Sequence, residues 1–295
     1  MASSTTGDRV KRALTDDNAF RVITVDATET IRGVITAQKV TGEAARVFAE
    51  LVIGAVLVRE TMSPDLRVQA ILQSGSSEST AGKPWRMIAD THPAGLTRGL
   101  AQLRNPPENV EFSLGDGARL QIARTLHNGA LHQGVVEAPA AGGISGALMS
   151  YMLASEQVAS TIAVGVHLEN GEIRAAGGYI VQLLPELAEG PLAIMTERLH
   201  HFDPIEKLLA NGGAEPATLM SELLYGMPYA EVGDDKVYFG CNCNRERILA
   251  TLATLPRADV QELLTSNAPV EMTCDYCGTN YAIEPAVLQG LIDSN

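Results

Sequence analysis

Cysteine and aromatic side chains are scarce in this chain of 295 residues, which has four cysteines, one tryptophan and an aromatic content of 4%. Positive charge is also in deficit: 22 Lys and Arg face 35 Asp and Glu, for a formal net charge of −13. That balance opposes a polyanion, and no basic run offsets it locally, so nucleic acid is not an expected partner. No uninterrupted apolar stretch of about eighteen residues marks a membrane span. The opening MASSTTGD lacks the apolar region of a signal peptide. These absences predict a cytoplasmic protein without a membrane partner, and in a reducing compartment four cysteines suggest a metal site or redox device before a disulfide scaffold.

Catalytic signatures are missing too. There is no HExxH, no Walker A lysine, no GxGxxG, and Ser145 does not complete GxSxG. No enzymatic activity and no nucleotide cofactor are expected. The runs Ala140-Ala141-Gly142-Gly143 and Ala175-Ala176-Gly177-Gly178 read as turns rather than phosphate cradles. Trp85 reads as a packing residue, and the adjacent His200 and His201 as surface or capping groups on different faces of a helix.

What is present is an ordinary globular balance, 45% hydrophobic and 19% charged. The length favours two or three units over one core. Strand patterns run through FRVITV from Phe20, near Ile31 to Ile35, and over 66–72, 120–125, 131–136, 162–168 and 179–184. Asn170-Gly171 is a hairpin turn signal. Two helices are predicted, over 43–61, apolar on most faces, and over 145–156. Residues 1–185 thus predict an α+β core of mixed sheet and helix. Beyond Pro185 the strand signal fades, and Leu192, Met195, Leu199 and Phe202 fall on one helical stripe. Residues 186–235 read as a helical linker closed by Gly233-Asp234-Asp235, and 236–295 as a small metal-binding domain. The stripe is core contact by default; the alternative is a binding surface hidden in the resting state.

The cysteines form one Cys-x-Cys, Cys241 and Cys243, and one Cys-x-x-Cys, Cys274 and Cys277, with thirty residues between Cys243 and Cys274. Two close pairs brought together by a folded spacer supply four thiolates to one tetrahedral zinc with no open position for substrate, so one zinc per chain is expected. Most such sites only hold a small domain together, and a constitutive protein-binding adaptor with a purely structural zinc therefore remains the alternative. A small unit that depends on a thiolate-bound metal is still oxidation-sensitive, because oxidising the ligands removes the charges that hold the ion. Arg245 and Arg247 could support thiolate charge, although a solvated Arg-Glu-Arg face is the plainer reading. From Lys236 onward there are four basic and seven acidic side chains, which again disfavours nucleic acid.

CNCNRER and CDYCGTNY, together with SYMLASEQVAS, AAGGYIVQLLP and FRVITVDATETIR, resemble the redox-regulated, thirty-three-kilodalton heat-shock chaperonin family. The resemblance spans nearly the whole chain. It implies an ATP-independent chaperone, a holdase for unfolding proteins under oxidative stress, with an N-terminal core, a helical linker and a C-terminal zinc domain. It implies that Cys241, Cys243, Cys274 and Cys277 hold zinc in the reduced, inactive state. Oxidation would then form the disulfides Cys241 with Cys243 and Cys274 with Cys277, release zinc, unfold tail and linker, and expose surface for clients, commonly in a homodimer. Some relatives carry a further cysteine near the position of Ile248. The first seven residues have no counterpart in the pattern.

Overall fold

In the computed structural model the described residues are 7–62, 66–75, 85–103, 114, 117–139, 141–185, 189–212, 215–266 and 268–293. Residues 1–6 of the leading extension and Ala140 of the first alanine–glycine run lie outside them. The chain divides into two units, Met1–Phe239 and Gly240–Asn295.

In the first unit, β1 (Arg9–Thr15) and β2 (Phe20–Asp26) form an antiparallel pair whose register runs from Arg9 opposite Asp26 to Leu14 opposite Arg21. The next segment departs from the strand predicted near Ile31 to Ile35: it is a helix, α1 (Thr28–Gln38). Its β-branched residues resemble a strand locally, but Thr30, Ile31 and Val34 bury one helical face. The Asp8 carboxylate accepts the Glu29 and Thr30 backbone N–H groups at 3.0 and 2.5 Å, satisfying orphan donors of the first turn from a distant stretch of chain. α2 (Gly42–Glu60) is buried almost all round, as its apolar sequence requires.

Five strands follow: β3 (Arg67–Gln73), β4 (Arg86–Thr91), β5 (Leu96–Gln102), β6 (Arg119–Thr125) and β7 (Leu131–Glu137). After α3 (Gly143–Ala154) come β8 (Ser160–Glu169) and β9 (Glu172–Leu183), joined through Asn170 and Gly171 at φ 54° and 82°. Positive φ at both residues is the demand of a tight hairpin turn, which this dipeptide meets at little cost. Gly177 and Gly178 are not turn residues as predicted; they lie inside β9. A Cβ there would stand 2.4 Å from the Val25 and Ala163 carbonyl oxygens respectively, so glycine permits the close approach of the flanking strands.

Three short helices then pack on a sheet: α4 (Glu189–His201), α5 (Ile205–Ala210) and α6 (Pro216–Leu223). The segment read as helical ends in a strand, β10 (Tyr229–Lys236), followed by β11 (Tyr238–Phe239). β10 has little apolar alternation, which hid it. Its position comes from the ladder to β1 and from ion pairs across it, Arg9 with Asp234 at 2.7 Å, Lys11 with Glu231 at 2.9 Å, and Arg12 with Asp235. The finished sheets have the orders β10-β1-β2-β9-β8 and β11-β5-β4-β3-β6-β7, antiparallel apart from the β11–β5 pair. α2 packs against β3 and β4 of one and β8 and β9 of the other, which is why no face of it is polar. Trp85 packs against the same core.

The second unit holds α7 (Arg245–Leu252), α8 (Arg257–Leu264), β12 (Val270–Thr273), β13 (Asn280–Ile283) and α9 (Pro285–Asp293). β12 and β13 are antiparallel, with Met272 opposite Tyr281. The core of this unit is small: Leu252, Val260, Ile283 and Leu288 are its buried side chains among the described residues. So small a core gives limited stabilisation by burial alone. No described helix is long and apolar enough to cross a membrane.

Candidate metal centre

Local structure presents one cysteine pair from an irregular segment that runs into a helix and the other from a tight turn. Cys241 and Cys243 lie just before α7, whose first turn is capped by Asn244: its Oδ1 accepts the Arg247 N–H at 2.8 Å. Cys274 follows β12 and opens a reversal in which its N–H donates to Thr279 O at 2.9 Å and the Gly278 N–H donates to Cys274 O at 2.8 Å. Gly278, at φ 72°, takes the left-handed conformation that lets Cys277 turn back toward Cys274.

These two segments bring all four sulfurs within 4.8 Å of one another. Cys241 Sγ is 3.7 Å from Cys274 Sγ, and Cys243 Sγ is 3.5 Å from Cys277 Sγ. Four sulfurs at about 2.3 Å from a tetrahedral zinc stand about 3.8 Å apart, so the cluster has the size and donor set for such an ion. All four cysteines are half-buried.

The thiols are unequal. Burial pushes Cys243 up to about 12, against a hydrogen bond from the Tyr281 hydroxyl and reinforced by the neighbouring sulfurs. Burial likewise raises Cys274. Burial alone would raise Cys277 as well, but bonds from the Thr279 hydroxyl and backbone and from the adjacent thiols bring it to about 7. One sulfur therefore ionises readily, and crowding opposes further thiolates until a cation supplies the opposite charge.

Tyr281, whose hydroxyl donates to Cys243 Sγ at 3.1 Å, and Thr279, whose Oγ1 is 3.2 Å from Cys277 Sγ, are not marked by the cysteine spacing. Their only sequence signal is the position of both hydroxyls just after CDYCG, on the segment entering β13. Arg245 and Arg247 are exposed on α7, and the Arg245 guanidinium donates to Ala282 O at 3.4 Å. His200 and His201 are exposed at the end of α4. Among the described residues the cysteines are the only group suited to a metal ion.

The stripe, which runs along α4 to Phe202 just past its end, is divided by its surroundings. Met195 is buried, Leu199 and Phe202 pack against the cluster formed with Tyr179, Leu219 and Leu223, and Leu192 is 38% exposed. Phe202 meets Tyr179 edge to face at 5.7 Å.

Comparison with known proteins agrees with this architecture. The 33 kDa chaperonin of Syntrophotalea carbinolica is 28% identical over 295 residues, covering 97% of this chain and 99% of that protein. The 33 kDa chaperonin of Streptococcus pyogenes is 38% identical over 145 residues, 48% of this chain and 49% of that one. A crystal structure of the 33 kDa chaperonin (heat shock protein 33 homolog) of Thermotoga maritima superposes with a TM-score of 0.81 over 98% of this chain and 99% of that chain, at 21% identity, which shows a shared fold. The family model described as Hsp33 protein matches residues 8–284, and so takes in both sheets, the α4–α6 helices and all four cysteines: the chain belongs to the Hsp33 family.

Proposed function

We propose that this protein is an oxidation-controlled, ATP-independent holdase of the cytoplasm. The observation that carries the reading is the four-sulfur cluster in a unit with only a small apolar core. Family membership and the chaperonin names of its relatives support it.

In the reduced state Cys241, Cys243, Cys274 and Cys277 would hold one zinc. Zinc held there would supply the positive charge that lets four thiolates share one site, and the four cysteines would then tie the segment before α7 to the turn after β12. When a peroxide- or hypochlorite-type oxidant converts Cys241 with Cys243 and Cys274 with Cys277 to disulfides, the sulfurs lose the charge that holds the ion. The unit then loses its cross-link, and its four buried aliphatic side chains are too few to keep it folded.

Unfolding would extend into residues 186–235, the proposed linker. Leu199 and Phe202 would leave the sheet, and the apolar surface so uncovered would capture unfolding proteins. The net charge of −13 would limit aggregation of the activated protein while homodimers assemble. Sedimentation of the peroxide-treated, zinc-depleted chain with a heat-unfolding client, without nucleotide, tests this: activated dimers should carry the client in soluble complexes. Capture of equal amounts by the reduced, zinc-loaded chain would instead indicate the constitutive adaptor with a structural zinc.

A further inference from the structure

Tyr281 ties the apolar cluster of the second unit to its sulfur cluster. It lies two residues before Ile283 on β13, so the two side chains share a face of the strand. Ile283 is fully buried, and the Tyr281 ring packs against the same cluster. The hydroxyl reaches Cys243 Sγ at 3.1 Å. A metal-bound sulfur has no proton to give, so the phenol is the donor in that state. On the other side, Cys243 Sγ stands 3.5 Å from Cys277 Sγ. Cys243 is thus held between a sulfur neighbour and a hydroxyl whose ring is itself fixed by packing.

We infer that Tyr281 is a positioning residue for Cys243: its hydrogen bond fixes that sulfur at one corner of the metal site and draws charge from it, tightening metal binding and slowing its attack on hydroperoxides. This rests on the metal and redox reading above. In the restrained step a Cys243 lone pair forms an S–O bond to a hydroperoxide and the O–O bond breaks. The sulfur is oxidised by two electrons to a sulfenic acid, and hydroxide or alkoxide departs with the electron pair. A second thiolate then displaces hydroxide from that sulfur, closing an S–S bond. The lone pair that receives the Tyr281 O–H is less available for the first attack, and bonds to an ionised acceptor are the stronger kind.

The test uses the full chain and Tyr281→Phe, which keeps the ring on the apolar cluster and removes only the donor. Co²⁺ serves as spectroscopic probe, zinc as competitor and hydrogen peroxide as oxidant. The variant should bind one Co²⁺ per chain with its sulfur-to-metal charge-transfer band at lower energy than in the parent, and with affinity weaker by roughly tenfold, the lower end for loss of a partner hydrogen-bonded to a ligand. Its peroxide-driven zinc release should also be faster. Met272→Ala is the control, because Met272 lies opposite Tyr281 and packs on the same cluster without touching the hydroxyl's role. An equal band shift in Met272→Ala would reduce the effect to packing and overturn the inference. So would band, affinity and release rate unchanged in Tyr281→Phe, with the redox metal site left standing. A parent chain that binds neither metal, or keeps its zinc under peroxide, would overturn the underlying reading instead.

Discussion

Cys243 Sγ and Cys277 Sγ are 3.5 Å apart although 34 positions separate them in the chain, and Cys241 with Cys274 repeats the relation at 3.7 Å. These two close contacts cross from one pair to the other, and they last only while the unit is folded. Once metal is lost the long loops must be closed against chain entropy, whereas the sulfurs of a Cys-x-Cys or Cys-x-x-Cys remain neighbours. Peptide mapping of the fully oxidised protein should therefore find Cys241 joined to Cys243 and Cys274 to Cys277. A map dominated by Cys243–Cys277 would mean that oxidation is completed inside the folded unit.

Metal binding should depend on pH. Burial raises the Cys243 and Cys274 thiols, so protons occupy these sulfurs over most of the working range and must leave when metal enters. Affinity then falls as pH falls, by up to about tenfold per pH unit for each proton displaced. Zinc dissociation constants at pH 6 and pH 8 measure this; equal values would exclude thiolate ligation. Replacing Cys274 with serine should lower zinc affinity and loosen residues 240–295 while the first unit still unfolds cooperatively, since that unit contains no cysteine.

In the first unit, fully buried Asp90 accepts hydrogen bonds from Arg67 at 2.6 and 2.9 Å and from Arg98 at 2.9 Å, with His92 Nε2 at 3.1 Å. Burial alone would raise its pKa, but His92 and Arg67 hold it well below the usual carboxylate range. A carboxyl depressed in the folded state contributes its stability above the unfolded pKa and loses it as pH falls through the folded one. Asp90→Asn should cost about 3 kcal/mol at neutral pH, because it leaves the buried Arg98 guanidinium without its counter-ion. The loss should shrink in strong acid, and zinc content should not change. Urea unfolding at several pH values checks the size and the trend; a constant difference across them would contradict it.

Leu199 and Phe202 pack onto the five-stranded sheet. Changing both to serine should weaken docking of α4 by about 3 kcal/mol or more and raise aggregation suppression by the reduced, zinc-loaded protein. Activity unchanged in that state would show that α4 does not cover client-binding surface.

Much of the fold was legible in the sequence. The Asn170-Gly171 turn and the buried helix α2 were marked by local chemistry alone. α1 is hidden in the sequence because its N-terminus is satisfied by Asp8, far away in the chain, and its β-branched residues imitate a strand locally. β10 carries no strand signal of its own because its position depends on Arg9, Lys11 and Arg12 across the ladder. The cysteines stood out by their spacing. Tyr281 did not, since only the β12–β13 register aims its hydroxyl at Cys243.

The central claim is that loss of metal and gain of client capture are one event. Zinc content and suppression of client aggregation, measured on the same sample before peroxide, after peroxide, and after reduction with zinc restored, test it most directly. The account predicts about one zinc per chain with weak suppression, then zinc release with strong suppression, then a return to the first state. Equal suppression in the first two samples, with zinc release verified in the second, would contradict it.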